Sequence, residues 1–411
     1  MTSEHGDLFR EITDATEPHA LLHRIRRDDP VHFVASRRFW FVTKHAHVLQ
    51  LLHDPDNVSP DGRIWESYVP APEGTFMRWM ADNGLSTLEP AQHQRLRKLA
   101  SAAFTPRAVQ RMSQQIAAVI AQLAAPLARQ PDDVVDLFAS FVNVVPAAVI
   151  NGITGIRPHD PGYFSQAVRA MLEGAIPFAS ELTRQRAEAS FAELAGWIRS
   201  ALALRRVEPA DDLLSDLAAA AVDELRLTEG DIVLLLCSII AAGVVTVATM
   251  ASVMIRVVLE RPAMMHAIRT EPGLAYRSID ELMRYSAGPS GPVRFARHDF
   301  SLGDKRILRG QMVMLSTGGA CRDPAVYEDP DVLQLDRKVE DLLVFGRGPH
   351  HCLGAALARH ELACMLASLA QVLPPGSRLR EDQFVVTRRG MFQAPSNVPV
   401  ELGHAAPATN P

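Results

Sequence analysis

Apolar residues recur every three to four positions along most of the chain, with polar residues between them, so helical periodicity dominates. The pattern predicts long helices rich in Ala, Leu and Arg over 92–127, 133–153, 160–206, 228–258 and 353–373. Strand-like runs are short and few. RRFWFVTK (37–44) is one, ahead of a turn. RFARHDFSLGDKRILRGQMVMLSTG (294–318) reads as two or three strands joined at Gly-Asp and Arg-Gly turns. QFVVTRRGMFQAPSNVPVEL (383–402) has the pattern of a closing hairpin. The predicted fold class is mainly α, with smaller β regions divided between the two ends.

The longest apolar stretch runs from Ile232 to Ile255. It exceeds the about 20 residues that cross a bilayer. Ser238, Gly243, Thr246, Thr249 and Ser252 interrupt it, however, and no anchor pattern flanks it. A helix apolar on all sides is also what the middle of a large soluble protein requires, so a buried central helix is expected and a membrane span is not. The first thirty residues mix acids and bases and hold no apolar core of signal-peptide length. Proline pairs at Pro70 and Pro72, Pro289 and Pro292, and Pro374 and Pro375 mark loops rather than linkers. No internal repeat is visible. One compact domain over 1–403 is expected, with 404–411 a disordered tail.

Composition narrows the function classes. At 47% hydrophobic residues, 411 residues can bury a large core. A formal net charge of -5 gives no general attraction to nucleic acid or anionic membrane, and neither is an expected partner. The four cysteines, Cys237, Cys321, Cys352 and Cys364, form no CxxC pair. Free thiols in a reducing, cytoplasmic compartment are expected.

One of them stands in a special place. In FGRGPHHCLGAALAR (345–359), glycines precede Cys352, which lies just ahead of a predicted helix. Glycines let the backbone turn tightly and approach a ligand closely. A cysteine at a helix N-terminus feels the positive end of the macrodipole, which favours thiolate. Backbone N–H groups there can donate to the sulfur, and a thiolate held so is a good soft ligand for iron. For an isolated cysteine the commoner state is an inert thiol beside a loop. The whole segment, however, resembles the haem-binding loop of the cytochrome P450 family, FGxGxHxCxGxxLAR, at every fixed position.

That resemblance implies haem b (iron protoporphyrin IX) with Cys352 as axial ligand to the iron, and Phe345, Gly346 and Gly354 shaping the loop. Glu281 and Arg284 match the family's ExxR pair; at i and i+3 they share a helix face. Arg337, eight residues before Phe345, resembles the third member of that group, and Arg322-Asp323-Pro324 resembles a further family stretch. His93 and Arg97, four apart, resemble the HxxxR pair. With Arg294 and His350 they are expected to bind the two haem propionates.

The central helix resembles the family's oxygen-activating helix, whose pattern is roughly Ala-Gly-x-acid-Thr. Here it reads Ala242-Gly243-Val244-Val245-Thr246. Gly243 is expected to loosen the helix and make room for dioxygen, the co-substrate, and Thr246 to offer a hydroxyl there. Val245 stands where an acid is usual, and valine cannot relay a proton. Three readings follow: protons arrive by another route, through waters with Thr246, Ser238 or the substrate; the chemistry is altered, as in cyclisation or oxidative coupling; or the protein binds haem and a ligand with little turnover. Thr249 is expected to be a packing hydroxyl.

By the same resemblance the substrate pocket draws on five regions. The first offers Trp65, Val69, Phe76, Met77, Trp79 and Met80. The second offers Met171, Ile176 and Phe178. Ile239, Ala242, Val245 and Thr246 come from the central helix. Ser290, Val293, Met391 and Phe392 complete the set, of which about half is expected to touch ligand. Its apolar, methionine-bearing character suits a sizeable lipophilic substrate. Glu66, Glu73 and Asp82 are candidates to meet a polar end. Electrons are expected from NAD(P)H through a separate ferredoxin and ferredoxin reductase, with Arg95, Lys98, Arg347 and Arg359 as candidate docking charges. The chain resembles soluble bacterial members, and IIAAG and VRFAR resemble those that tailor polyketides. Hydroxylation or epoxidation of a lipophilic secondary metabolite, free or carrier-protein-bound, by a monomer is the expected function.

Overall fold

A computed structural model of the chain describes residues 11–12, 15, 18–129, 134–158, 160–174, 179–220, 227–389 and 392–403. Its helices are α1 (His19–Asp28), α2 (His45–Leu52), α3 (Phe76–Asn83), α4 (Pro90–Ser101), α5 (Pro106–Ala124), α6 (Val145–Thr154), α7 (Pro161–Gly174) and α8 (Glu181–Val207). They continue with α9 (Leu213–Ala220), α10 (Glu229–Leu259), α11 (Pro262–Thr270), α12 (Gly273–Arg277), α13 (Ile279–Tyr285), α14 (Thr317–Cys321) and α15 (Ala355–Val372).

α10 is the axis of the fold. Thr228 and Asp231 close a capping box at its start, each side chain bonding the other's backbone N–H. Its most apolar stretch is long enough to cross a membrane, yet 67% of that stretch is buried against α6, α7, α8 and α15, which accounts for its hydrophobicity. The helix runs without a break through Gly243. The expected loosening there is not found. A Cβ at Gly243 would come 3.1 Å from Ile150 Cδ1, so the glycine makes room for α6 to pack closely.

Three long helical predictions divide. The stretch 92–127 stops at Ala102–Phe104, a 3-10 turn, and restarts at Pro106, where the Thr105 hydroxyl accepts the Ala108 N–H. The stretch 133–153 begins as strand β4 (Val134–Asp136), continues through a π turn at Phe138–Val142, and becomes helical only at α6. β4 is a strand because it pairs with β12 (Pro399–Glu401), a partner more than 260 residues away. The stretch 160–206 is α7 and α8, the second capped by Ser180.

The main sheet has order β1-β2-β8-β5-β3, from β1 (Val31–Val34), β2 (Phe39–Val42), β3 (Val58–Ser59), β5 (Val293–Ala296) and β8 (Met312–Leu315). β2 and β8 run parallel, Phe39 opposite Met312. This joins the N-terminal hairpin to the region after α13. β6 (Phe300–Leu302) and β7 (Lys305–Ile307) form a hairpin between β5 and β8, so four strands stand where two or three were predicted. β9 (Arg378–Leu379) joins β4 and β12, and β10 (Val386–Arg389) pairs with β11 (Phe392–Pro395) as the closing hairpin. The tail 404–411 lies outside the described residues.

Candidate functional site

A cavity of 2310 Å³ lies between α10 and the loop that precedes α15. That loop is built by its backbone. Gly346 has a φ of +64° and Gly348 a φ of +70°, values L side chains rarely adopt. The Cys352 N–H donates to the Phe345 carbonyl at 2.9 Å, closing the turn. The Gly354 N–H donates to the Cys352 sulfur. Burial in the protein raises the Cys352 thiol above its ordinary range; the Gly354 N–H, Arg97 and Arg359 oppose that. Cys352 opens into the cavity, whereas Cys237, Cys321 and Cys364 are buried and stand off its wall. Burial pushes Cys237 up to about 12 and Cys321 up to about 11.

Gly348 also seats the loop on α2. A Cβ there would lie 2.4 Å from the Leu52 carbonyl oxygen. Gly348→Ala is expected to cost on the order of 1–3 kcal/mol from the left-handed backbone alone, and to displace the loop from α2. The haem-to-protein absorbance ratio of the purified variant and its thermal midpoint should both fall.

Among the described residues, one wall of the cavity carries donors and cations without an acid beside them. His93 and Arg97 on α4, Arg294 on β5 and His350 in the loop all line it. The His93 and His350 rings lie 4.1 Å apart. His93 Nδ1 and His350 Nε2 are buried without a hydrogen-bond partner. Burial, then His93, Arg294 and Arg97, push His350 down to about 3, and burial lowers Arg294 to about 10. Neither Arg97 nor Arg294 forms an ion pair with a carboxylate among the described residues. Donors and cations thus converge on a place that wants a dianion with an apolar body. Haem fits: its propionates would meet these four residues, and Cys352 faces the same cavity.

Behind the loop, Glu281 and Arg284 on α13 form a fully buried pair, Arg284 Nε to Glu281 Oε2 at 2.6 Å. Arg337 Nε donates to Glu281 Oε1 at 3.2 Å and its Nη1 to the Glu328 carbonyl at 2.7 Å. The three residues predicted together are brought together, and they hold the segment leading into the loop. Arg322 pairs with Asp331 and donates to the Tyr285 carbonyl.

On the α10 wall, Ala242, Gly243, Val245 and Thr246 all line the cavity. The Thr246 hydroxyl donates to the Ala242 carbonyl one turn back, and Thr249 likewise to Val245 at 2.8 Å. Thr249 also lines the cavity. Trp65, Val69, Met77, Met80, Ile239, Ser290 and Val293 line it as expected.

Several expected pocket residues do not. Phe76 is 1% exposed and stacks on Phe191 of α8 at 4.6 Å; Trp79 packs on the same ring. Met171 is 1% exposed and belongs to the core. Ile176, Phe178 and Met391 lie outside the described residues, as does the side chain of Phe392 on β11. The three candidate acids are not on the wall either: Asp82 pairs with Arg78 and Arg63, Glu66 with Arg38, and Glu73 is exposed. Among the candidate docking charges, Lys98 is exposed. Arg347 is tied to Asp341, and Arg359 to Asp280 with its guanidinium 4.5 Å over the Phe345 ring, so neither is a free charge. The Arg95 side chain lies outside the described residues. One wall residue escaped the sequence analysis. Glu361 on α15 is a lone acid among Leu357, Leu362 and Met365, and a charge on the apolar stripe of a helix is the pattern that could have marked it.

Comparison with known proteins agrees with this geometry. Mycinamicin IV hydroxylase/epoxidase from Micromonospora griseorubida is 32% identical over 368 residues, covering 88% of this chain and 89% of that protein. Polyketide biosynthesis cytochrome P450 PksS from Bacillus subtilis (strain 168) is 28% identical over 420 residues, covering 98% of each. The crystal structure of CalO2 superposes with a TM-score of 0.85 at 28% identity, covering 95% of this chain and 98% of that one. The cytochrome P450 family profile matches residues 36–373, and the chain belongs to that family.

Proposed function

We propose that this cytochrome P450 hydroxylates or epoxidises a lipophilic, polyketide-like secondary metabolite, with Cys352 as axial ligand to the haem iron. The observation that carries the reading is one cavity with Cys352 on its wall, unpartnered donors on one side and a largely apolar lining elsewhere. Haem b, ligated by thiolate, supplies the activation of dioxygen with electrons delivered by redox partners. The protein's residues do the remainder. His93, Arg97, Arg294 and His350 bind the propionates; the Gly354 N–H moderates the sulfur. Trp65, Met77, Met80, Ile239 and Val293 exclude water and orient an apolar substrate. The Thr246 hydroxyl, bonded to Ala242, leaves its lone pairs toward the cavity to hold a water.

Relatives named for hydroxylation, epoxidation and polyketide biosynthesis support the reaction class and the substrate class. They do not favour cyclisation, oxidative coupling or ligand binding without turnover. The finer partners belong to the same reading: a ferredoxin with its reductase, a monomeric and cytoplasmic enzyme, and a substrate that is free or carried by an acyl-carrier protein.

The test is the carbon-monoxide difference spectrum of the reduced protein, repeated with a panel of lipophilic natural-product precursors. A thiolate-type Soret band, a substrate-induced spin shift and an oxygenated product with NAD(P)H and ferredoxin partners are expected. A neutral-thiol or histidine-type band in folded protein would overturn the ligand assignment. No spin shift with any lipophilic precursor, and binding of polar ligands instead, would overturn the substrate class.

A further inference from the structure

α3 is eight residues long, and a helix so short is not stable by itself in water. Apolar side chains lie almost all round it: Phe76, Met77, Trp79, Met80 and Ala81. The sequence of α3 therefore leaves open which of them face the cavity. In the fold, Met77, Met80 and Ala81 line the cavity, whereas Phe76 and Trp79 turn to Phe191 of α8. A rotation of α3 by one residue's step, about 100°, would bring Phe76 and Trp79 to the cavity instead.

The first N–H groups of a helix have no partner within it. At α3 each is accounted for. The Thr75 N–H donates to the Pro72 carbonyl at 3.3 Å, and the Thr75 hydroxyl accepts the Arg78 N–H at 3.3 Å. The two between them go to one carboxylate on another helix. Glu188 of α8, 112 residues on from Phe76, accepts the Phe76 N–H on Oε2 at 2.7 Å and the Met77 N–H on Oε1 at 3.3 Å. Glu188 forms no ion pair among the described residues, so its charge serves the positive end of α3. Successive N–H groups stand about 100° apart around the axis, so a carboxylate that holds two of them fixes the rotation of the helix as well as its place. Phe191, one turn on from Glu188, completes the seat: its ring stacks on Phe76 with centroids 4.6 Å apart and meets Trp79 at 5.1 Å. The contacts at the other end of α3 are local in the chain. The Thr87 hydroxyl donates to the Met80 carbonyl at 3.2 Å, and Asp82 pairs with Arg78 and Arg63.

We propose that Glu188 is a positioning residue of the substrate pocket: by capping α3 from α8 it sets which face of α3 the substrate meets, a wall of methionines rather than of aromatic rings. The assignment rests on the substrate-pocket reading above. Glu188 is not itself on the cavity wall and acts through Met77 and Met80. Affinity for a ligand that lies against that wall is then scaled by the fraction of molecules in which α3 is set. A ligand that reaches only the iron does not depend on it.

The experiment uses haem-loaded wild type, Glu188→Ala, Glu188→Gln, Met80→Ala and Glu188→Ala/Met80→Ala, each first checked for a thiolate-type carbon-monoxide band. Two probes are titrated by the shift of the Soret band: imidazole, which reaches only the iron, and N-dodecylimidazole, whose tail must lie along the cavity wall. In Glu188→Ala the Kd of N-dodecylimidazole should rise about five- to tenfold, the size of effect that one helix cap carries, while that of imidazole stays as in wild type. Glu188→Gln offers one oxygen to two N–H groups and should fall between. Met80→Ala should weaken N-dodecylimidazole binding on its own and add little in the Glu188→Ala background, where α3 no longer presents that side chain. Amide hydrogen exchange at Phe76 and Met77 should be faster in Glu188→Ala. An equal rise for both probes would place the effect on the haem site at large and overturn the proposal. So would an unchanged Kd for N-dodecylimidazole, or a Met80→Ala loss of the same size in both backgrounds. Should Glu188→Ala yield no folded protein, Glu188→Gln decides by the same comparison of probes. Neither probe is a substrate, so failure to oxidise the lipophilic panel would count against the substrate class and not against Glu188.

Discussion

Replacement of Cys352 by serine is expected to remove the thiolate-type carbon-monoxide band and bring product formation below detection, while far-UV circular dichroism stays close to wild type. The separation of effects follows from where the side chain sits. Cys352 opens into the cavity and is not part of the packed core, so the fold loses little when its sulfur becomes oxygen. The loop is held by other groups: the Cys352 N–H on the Phe345 carbonyl, the positive-φ glycines, and Arg359 over the Phe345 ring. A serine hydroxyl is a far weaker acid and a hard donor, and cannot give the iron the electron density that a thiolate gives.

Nor can another cysteine take over. Cys237 on α10, Cys321 on α14 and Cys364 on α15 are buried away from the cavity wall, and burial holds each thiol protonated above its ordinary range. Cys364 is further occupied by the Tyr276 hydroxyl at 2.8 Å. A thiolate-type band surviving in Cys352→Ser would therefore require a rearranged core, and would sink the assignment.

What could be read from the sequence divides by whether the decisive partner is near in the chain. The Cys352 loop was legible because turn, ligand and helix start follow one another within 345–359. α10 was legible because its apolar surround leaves no other place for it than the core. The strand Val134–Asp136 was not, because its three residues fit a helix as well, and only β12 decides otherwise. Phe76 and Met80 stand four apart on α3, yet Phe76 turns to Phe191 while Met80 lines the cavity; packing of α8 sets that choice, and no periodicity in α3 encodes it. Gly243 was assigned a gap that Ile150 fills, again from a different helix. Glu361 is the converse case: its helix was predicted with nearly correct ends, but only the fold shows that this position lines the cavity.

The second large effect belongs to the buried pair. Arg284 is fully enclosed and spends its donors on four acceptors: both oxygens of Glu281 at 2.6 and 2.8 Å, the Cys321 carbonyl at 2.9 Å and the Pro330 carbonyl at 2.8 Å. Glu281 in turn accepts the Gln334 N–H at 3.0 Å and Arg337. These bonds tie α13 to α14 and to the segment that leads into the Cys352 loop. Removing one partner leaves the other charge buried, which costs about 3–5 kcal/mol. Arg284→Ala adds an internal gap and frees two carbonyls, so the upper end is expected. Denaturant midpoints should fall accordingly, and purified protein should carry little haem, since the loop loses its support. Glu281→Gln keeps the shape and tests the charge alone; it should cost less. The double variant Glu281→Met/Arg284→Met should be more stable than the sum of single losses predicts, because the two fully buried charges leave together and, of the remaining charges, only Arg337 loses its contact with Glu281. Additive losses in that cycle, or full haem content in Arg284→Ala, would show that the pair does not hold the loop.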